Sequence, residues 1–235
     1  MDKILVFTGT YNESDNILKF INQVFKASNL IDLLIIDDNS PDKTFEIIKL
    51  HPLINKRIFL NVRKKKLGLD TAHKFAYNYA KKKGYNKLIT MDSDLSHNPK
   101  EIPKFINLLG RYNFVQGSRY IRGGKNNQPK FRYLLSYIGN KLIKIILNSE
   151  LNEHTTSFRG FNINKLKNFN LGKVKAGGYS FFMETIYRLK LDNFSMVEIP
   201  IIFNDRIHGQ SKIPKIEIFR TLFNLIKILL KKSVL

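Results

Sequence analysis

The stretch "LITMDSDLSHNP", residues 88–99, decides how the chain is read. An apolar, β-branched run, Leu88 to Thr90, stops on Asp92 and Asp94, and Ser96, His97 and Pro99 follow. A short apolar run bounded by turn residues is the pattern of a buried strand. Carboxylates at i and i+2 share a face if the strand continues through them. Two like charges that close disfavour joint ionisation unless a cation lies between them. Hard oxygen ligands suit Mg2+ or Mn2+, and Mg2+ is usually held by one or two carboxylates plus phosphate oxygens of a substrate. The competing reading is capping chemistry ahead of the helix that starts after Pro99. His97 carries the same choice, a base or ligand against a capping or packing histidine.

The alternation seen there repeats on both sides. "KILVFT" (3–8), "LLIID" (33–37), "RIFLNV" (57–62), "KLITMD" (87–92) and "FVQGSR" (114–119) read as strands. Helical periodicity separates them: 13–27 with Ile17, Phe20, Ile21, Val24 and Phe25 on one face, a helix from Thr44, 71–82, and 99–109. Strands alternating with helices at this spacing predict an α/β fold with a mostly parallel sheet flanked by helices. Such sheets bind ligands beyond the carboxyl ends of their strands. Four strands end in polar segments, "TGTYNE", "DDNSPD", "DSDLSH" and "GSRY", which gather on one rim.

The second half is less regular. A basic loop, residues 122–132, reads as a lid, and residues 131–147 as an amphipathic helix. A strand over 196–203 leads to the polar loop 204–212, and an amphipathic helix over 216–230 closes the sequence. The two amphipathic helices have three readings: core packing, docking on a membrane surface with basic residues toward anionic headgroups, or contact with a small membrane-anchored subunit.

With 235 residues and no internal repeat or linker, one domain over 1–235 is expected. The formal charge of +21 points to an anionic partner or to a lysine-rich composition on a solvated surface. Absence of cysteine excludes disulfides and thiolate metal sites. The N-terminus lacks a basic n-region, and no run approaches about 18 apolar residues, so a cytoplasmic, soluble or peripheral protein is expected.

The segments "TYNE" (10–13), "IIDDNSPDKT" (35–44), "MDSDLSHNP" (91–99), "GSRY" (117–120), "TTSFRGF" (155–161), "GGYSFFMET" (177–185) and "EIPIIFNDRIHGQSK" (198–212) stand in series. Together they resemble the inverting family-2 glycosyltransferases, and among these the polyprenyl-phosphate (dolichol-phosphate) mannose synthases without transmembrane helices. The resemblance implies a GT-A-like (Rossmann-like) fold with a C-terminal amphipathic helix, with a nucleotide-sugar-binding half (1–120) and an acceptor-binding half (121–235). It implies transfer of a sugar, mannose from GDP-mannose, onto a polyprenyl phosphate at the cytoplasmic face of a membrane, with Mg2+ or Mn2+ as cofactor. A UDP-glucose donor, or a glycan or lipid acceptor, is the near alternative. By the same resemblance Gly9, Tyr11, Glu13, Ile36 and Asp38 cradle the nucleoside, and Asp92, Ser93 and Asp94 hold the diphosphate, the two aspartates through the metal. Arg119, Arg206 and Lys212 contact phosphates, Arg132 seats the acceptor phosphate, and Glu184 lies near the sugar. Asp94, Arg119, Arg132 and Glu184 form the catalytic set. Arg119 and Arg206 also admit a reading as structural ion-pair partners.

The sequence departs from that pattern at Gly9, where proline is usual, at Asp70, where glycine is usual, and at Glu153, where aspartate is usual. A nicotinamide-dependent enzyme would need G-x-G-x-x-G after the first strand, and "FTGTYNES" lacks it. No motif interleaves basic and aromatic residues on one face as nucleic-acid recognition requires, so no nucleic-acid partner is expected.

Overall fold

The computed structural model describes residues 2–204, 223–225 and 227. Its framework is β1 (Ile4–Thr10), α1 (Ile17–Ala27), β2 (Ile31–Asp37), α2 (Thr44–Lys49), β3 (Ile58–Val62), α3 (Leu69–Lys82), β4 (Lys87–Thr90), α4 (Ile102–Arg111) and β5 (Phe114–Ser118). There follow β6 (Lys125–Asn126), α5 (Lys130–Ile146), β7 (Arg159–Asn162), α6 (Tyr179–Leu191), β8 (Met196–Pro200) and β9 (Ile202–Phe203).

Seven strands form one sheet in the order β3-β2-β1-β4-β7-β5-β8. All neighbours are parallel except β7, which runs antiparallel to both β4 and β5. β1 shows why the sheet is covered twice. Leu5 and Phe7 point into a core shared with Ala76 and Phe182, while Ile4 and Val6 point into another shared with Phe20 and Phe105. Period-two alternation with both sets apolar needs helices on both faces. The expected α/β fold is therefore the observed one.

Three features differ from the sequence expectation. β7 is not anticipated, because "RGFN" carries no strand-like alternation; it fits the sheet because Gly160 lets α4 close down on it. A Cβ there would stand 2.9 Å from Leu109 and 3.1 Å from Phe105. The strand expected over 196–203 is two strands: β8 pairs with β5, and β9 leaves the sheet to pair with β6. Two residues of the expected lid, 125–126, thus form strand β6. The expected C-terminal helix lies outside the described residues except for 223–225 and 227, which are helical, and Leu225 packs with Ile143, Leu147 and Met183.

Candidate active site

The carboxyl ends of β1, β2, β4 and β5 form one rim, and Thr90 is paired with Arg159. Antiparallel β7 therefore begins where its neighbours end, and delivers residues 153–158 to that rim.

On the first side the loops after β1 and β2 are stitched together by side chains. Asp37, fully buried, accepts from Thr10 Oγ1 at 2.7 Å, Ser40 N at 2.8 Å and Ser40 Oγ at 2.6 Å. Asn12 N donates to Ser40 Oγ, Glu13 N to Thr44 Oγ1 and Ser14 N to Asp42 Oδ2. Buried polar groups satisfied in this way fix a unique loop geometry. Asp38, the neighbour of this knot, is paired with Arg63, whose other nitrogens reach Thr71 Oγ1 and the Gly68 carbonyl. Lys66 lies 4.4 Å over the Tyr11 ring. Glu13 accepts from Asn16 Nδ2. Gly9 is inside β1, in register with Ile36, and a Cβ there would meet only ordinary contacts at 3.9 Å. Sequence reasoning named Asp38 and passed over Asp37 and Arg63. The signal for Arg63 was available: "NVRKKK" is a fifth strand end on the same rim.

β4 ends at Thr90, so both aspartates of the D-x-D stand on a loop. Asp92 Oδ1 accepts from Ser157 Oγ at 2.6 Å, and its N–H donates to His97 Nδ1 at 3.1 Å. Asp94, buried, accepts from Ser96 N and from Ser96 Oγ at 2.6 Å. Leu95 between them turns the chain with φ of 63°. Asn98 caps the short 3-10 turn, Pro99–Glu101, that leads into α4, accepting from Lys100 N. The cap is thus neither Asp92 nor Asp94.

His97 is a packing histidine. Since the Asp92 N–H can only donate, Nδ1 accepts and the ring proton sits on Nε2, 3.0 Å from Thr156 Oγ1. Burial depresses its pKa, with Asp92 and Asp94 pulling the other way. The ring lies against Phe158 and Phe203. Both nitrogens are committed, so the loop offers a metal oxygen ligands alone. Among the described residues no group of three or more His, Cys, Asp or Glu could hold an ion. Two carboxylates at a rim fit an ion that keeps water and substrate phosphates in its shell.

Arg119 leaves β5 and turns inward to Glu153, with Nε 2.7 Å from Oε2 and Nη2 2.9 Å from Oε1. Arg119 is thus an ion-pair partner of Glu153. Arg132 is exposed on the first turn of α5, and Arg206 and Lys212 lie outside the described residues. Glu184 is buried; its Oε2 accepts from Lys175 N and Ala176 N, and its Oε1 from Arg188 Nε at 2.7 Å. It pins the turn that leads to Gly178, whose φ of 59° and ψ of −142° favour glycine. Asp70 approaches the same turn: a Cβ on Gly177 would stand 3.6 Å from its Oδ1. Arg159 anchors the segment between these groups, donating to the carbonyls of His154, Thr156 and Phe182.

Residues 5–169 match the family model described as Glycosyl transferase family 2. The chain belongs to that family. A polyprenol monophosphomannose synthase of Mycolicibacterium smegmatis is 30% identical over 224 residues, covering 94% of this chain and 84% of that protein. An undecaprenyl-phosphate mannosyltransferase of Micrococcus luteus is 29% identical over 211 residues, covering 89% and 87%. In fold this family-2 chain is similar to a glucosyl-3-phosphoglycerate synthase from Mycobacterium tuberculosis crystallised with Mn2+, uridine diphosphate and glucosyl-3-phosphoglycerate. The TM-score is 0.65 at 18% identity, over 98% of this chain and 79% of that one. A mannosyltransferase from Pyrobaculum calidifontis in complex with GDP-Man and Mn2+ has a TM-score of 0.58 at 14% identity, over 89% and 58%.

Proposed function

We propose that this glycosyltransferase moves mannose from GDP-mannose onto a polyprenyl monophosphate, with inversion, at the cytoplasmic face of a membrane. The observation that carries the reading is the commitment, among the described residues, of two proton acceptors of the site, His97 and Glu184. Both nitrogens of His97 and both oxygens of Glu184 hold the backbone or a neighbouring side chain in place. A hydroxyl acceptor would ordinarily need such a base. A phosphate monoester, with a second pKa near ~6, is already mostly a dianion at neutral pH. The names of the two relatives, similar over about nine-tenths of this chain, support the same acceptor class.

In the reaction an acceptor phosphate oxygen attacks C1 of the sugar from the face opposite the nucleotide. The new C1–O bond forms as the bond to the donor's β-phosphate breaks, and the nucleoside diphosphate leaves with the electron pair. No proton changes hands. The stitched loops carrying Gly9, Tyr11, Glu13, Ile36 and Asp38 seat the nucleoside, and Ser93 N–H with Asp92 and Asp94 faces the diphosphate. A divalent cation, Mg2+ or Mn2+, held by Asp92 and Asp94 supplies neutralisation of the donor and leaving-group charge. Arg132, Arg206 and Lys212 counter the repulsion between acceptor and donor phosphates, while Arg119, its charge balanced by Glu153, contributes directed hydrogen bonds to phosphate. Glu184 shapes the turn beside the sugar.

α5 supports the membrane setting. Phe131 is 77% exposed and Ile145 67%, with Leu134, Leu135, Ile138 and Leu142 exposed between them. Lys130, Arg132 and Lys141 on the same helix suit anionic headgroups. No helix among the described residues is long and apolar enough to cross a membrane. Core packing and a small membrane-anchored subunit are the other two readings of this face, and binding of the isolated chain to vesicles tests the membrane one.

The test is sugar transfer by the purified protein with Mg2+ or Mn2+, polyprenyl phosphate, and labelled GDP-mannose beside UDP-glucose. Label entering the organic phase from GDP-mannose, abolished by chelator, is expected. Transfer from UDP-glucose instead would overturn the donor. Absence of lipid-linked label from either donor, with nucleotide binding intact, would overturn the acceptor.

A further inference from the structure

Among the described residues, Arg119 is a rim cation with a closely determined setting. It is the first residue past β5, yet its side chain is only 7% exposed and that of its partner Glu153 is 0% exposed. Glu153 grips the guanidinium side-on through Nε and Nη2, and Nη2 also reaches Thr155 Oγ1 at 3.1 Å and Ser136 Oγ at 3.3 Å. The rings of Tyr120 and Phe203 lie 5.1 and 5.2 Å from its central carbon. The carboxylate is as fixed as the arginine. Its Oε1 accepts from Thr155 N at 3.1 Å and Thr155 Oγ1 at 2.8 Å, and Glu153 N–H donates to Glu198 Oε1 at 2.8 Å. Glu198 Oε2 in turn accepts from Asn152 Nδ2 at 2.7 Å. Burial alone would raise the Glu153 pKa, but the Arg119 charge and these hydrogen bonds hold it below the usual range. Of the guanidinium nitrogens, Nη1 alone makes no hydrogen bond to a described residue.

A buried ion pair is a weak source of stability, because desolvation offsets most of the attraction. This pair also adds no net charge to a site that must gather phosphates. What it does add is direction: a guanidinium held on one edge can present only the other. We propose that Glu153 is a positioning residue, fixing Arg119 so that its Nη1 edge meets the acceptor phosphate in the attack geometry; this rests on the polyprenyl-phosphate reading above. A donor oriented before the reaction stabilises developing charge without reorganising. Ser136 extends the arrangement to α5. Its hydroxyl contacts both Arg119 and, at 2.7 Å, Tyr120 OH. Arg132 stands one turn earlier on the same face of that helix. The glutamate, where aspartate is usual in the resembling enzymes, supplies a reach about 1.5 Å longer.

The experiment measures partition, because a ratio of products does not depend on how much enzyme is folded. The full-length chain is supplied with labelled nucleotide-sugar and polyprenyl phosphate, and lipid-linked sugar and free sugar are both counted for wild type, Glu153→Asp and Glu153→Gln. A misplaced acceptor lets water compete, so the ratio of lipid-linked to free sugar is expected to fall about tenfold in Glu153→Asp and further in Glu153→Gln. Nucleotide affinity, set by other loops, is expected to change less than about twofold. Glu153→Asp keeps the charge and the fold, which guards against a Glu153→Gln chain that strands a buried guanidinium and fails to fold. An unchanged ratio in Glu153→Asp, whatever the total activity, would overturn the positioning role. Wild-type protein that makes no lipid-linked sugar would instead overturn the acceptor reading itself.

Discussion

α1 and α5 carry the same kind of apolar periodicity and end in opposite situations. On α1 the apolar face, Ile17, Phe20, Ile21 and Val24, is fully buried beneath the sheet. On α5 the buried residues are Asn140 and Ile143, while eight large hydrophobic side chains from Phe131 to Ile145, two of them tyrosines, stay exposed. α5 is pinned to the body largely by polar groups at helical spacing. Ser136 meets Arg119 and Tyr120, Asn140 meets Thr155 and the His154 N–H, and Lys144 meets Asn152. Periodicity states that a helix needs an apolar neighbour; it does not state that the neighbour is the protein's own core.

The contrast makes separable predictions. The largest effect belongs to the rim. Asp94→Asn keeps an acceptor for Ser96 but removes a metal-competent charge, so transfer should fall at least about 1,000-fold with the melting temperature held near wild type. A melting temperature that collapses would instead make Asp94 structural. Next is the core: Phe20→Ala on α1 should destabilise by about 3–5 kcal/mol in urea titrations, and a loss under 1 kcal/mol would show that α1 is as loosely held as α5.

Acid should then loosen the segment to which α5 is pinned. Burial lowers the His154 pKa from 6.5 to about 4, and that of His73 to about 3. Both rings are neutral in folded and unfolded chains above pH 6.5. Below it the unfolded chain takes up protons first, so stability is lost as pH falls toward 4, by on the order of 3 kcal/mol for His154 alone. Melting curves recorded from pH 7 to pH 4 check this, and a flat response would refute it. The smallest change in stability is expected at Phe131→Ala, within about 0.5 kcal/mol. Its signature lies elsewhere: co-flotation with anionic vesicles should weaken about tenfold, as removal of one inserted aromatic ring implies. Unchanged flotation would hand α5's face to a protein partner.

Much of the framework was legible because apolar runs and polar strand ends are local signals. β1, β2, β4 and β5 lie close to the segments read from sequence, and the D-x-D falls on the rim as expected. What escaped was set by distance along the chain. Nothing near Arg119 announces a carboxylate 34 residues away, and nothing near Asp92 announces Ser157, 65 residues on. Asp37 and Asp38 are adjacent, and only the alternation of the strand decides that the first knots two loops while the second faces Arg63. β7 was missed for a different reason, since its fit depends on Gly160 yielding space to α4 and not on any pattern of its own.

The antiparallel strand has a further consequence for how the molecule assembles. β5 is complete at Ser118, yet its two neighbours, β7 and β8, begin at Arg159 and Met196. During synthesis the first four strands can pair among themselves, while β5 waits with both edges bare until some forty further residues have emerged. Such long-range pairing slows folding and leaves edges open to wrong partners in the interval. The late-arriving "RGFN" segment is therefore the piece that joins β5 to the first four strands, and β8 covers the remaining edge of β5 later still.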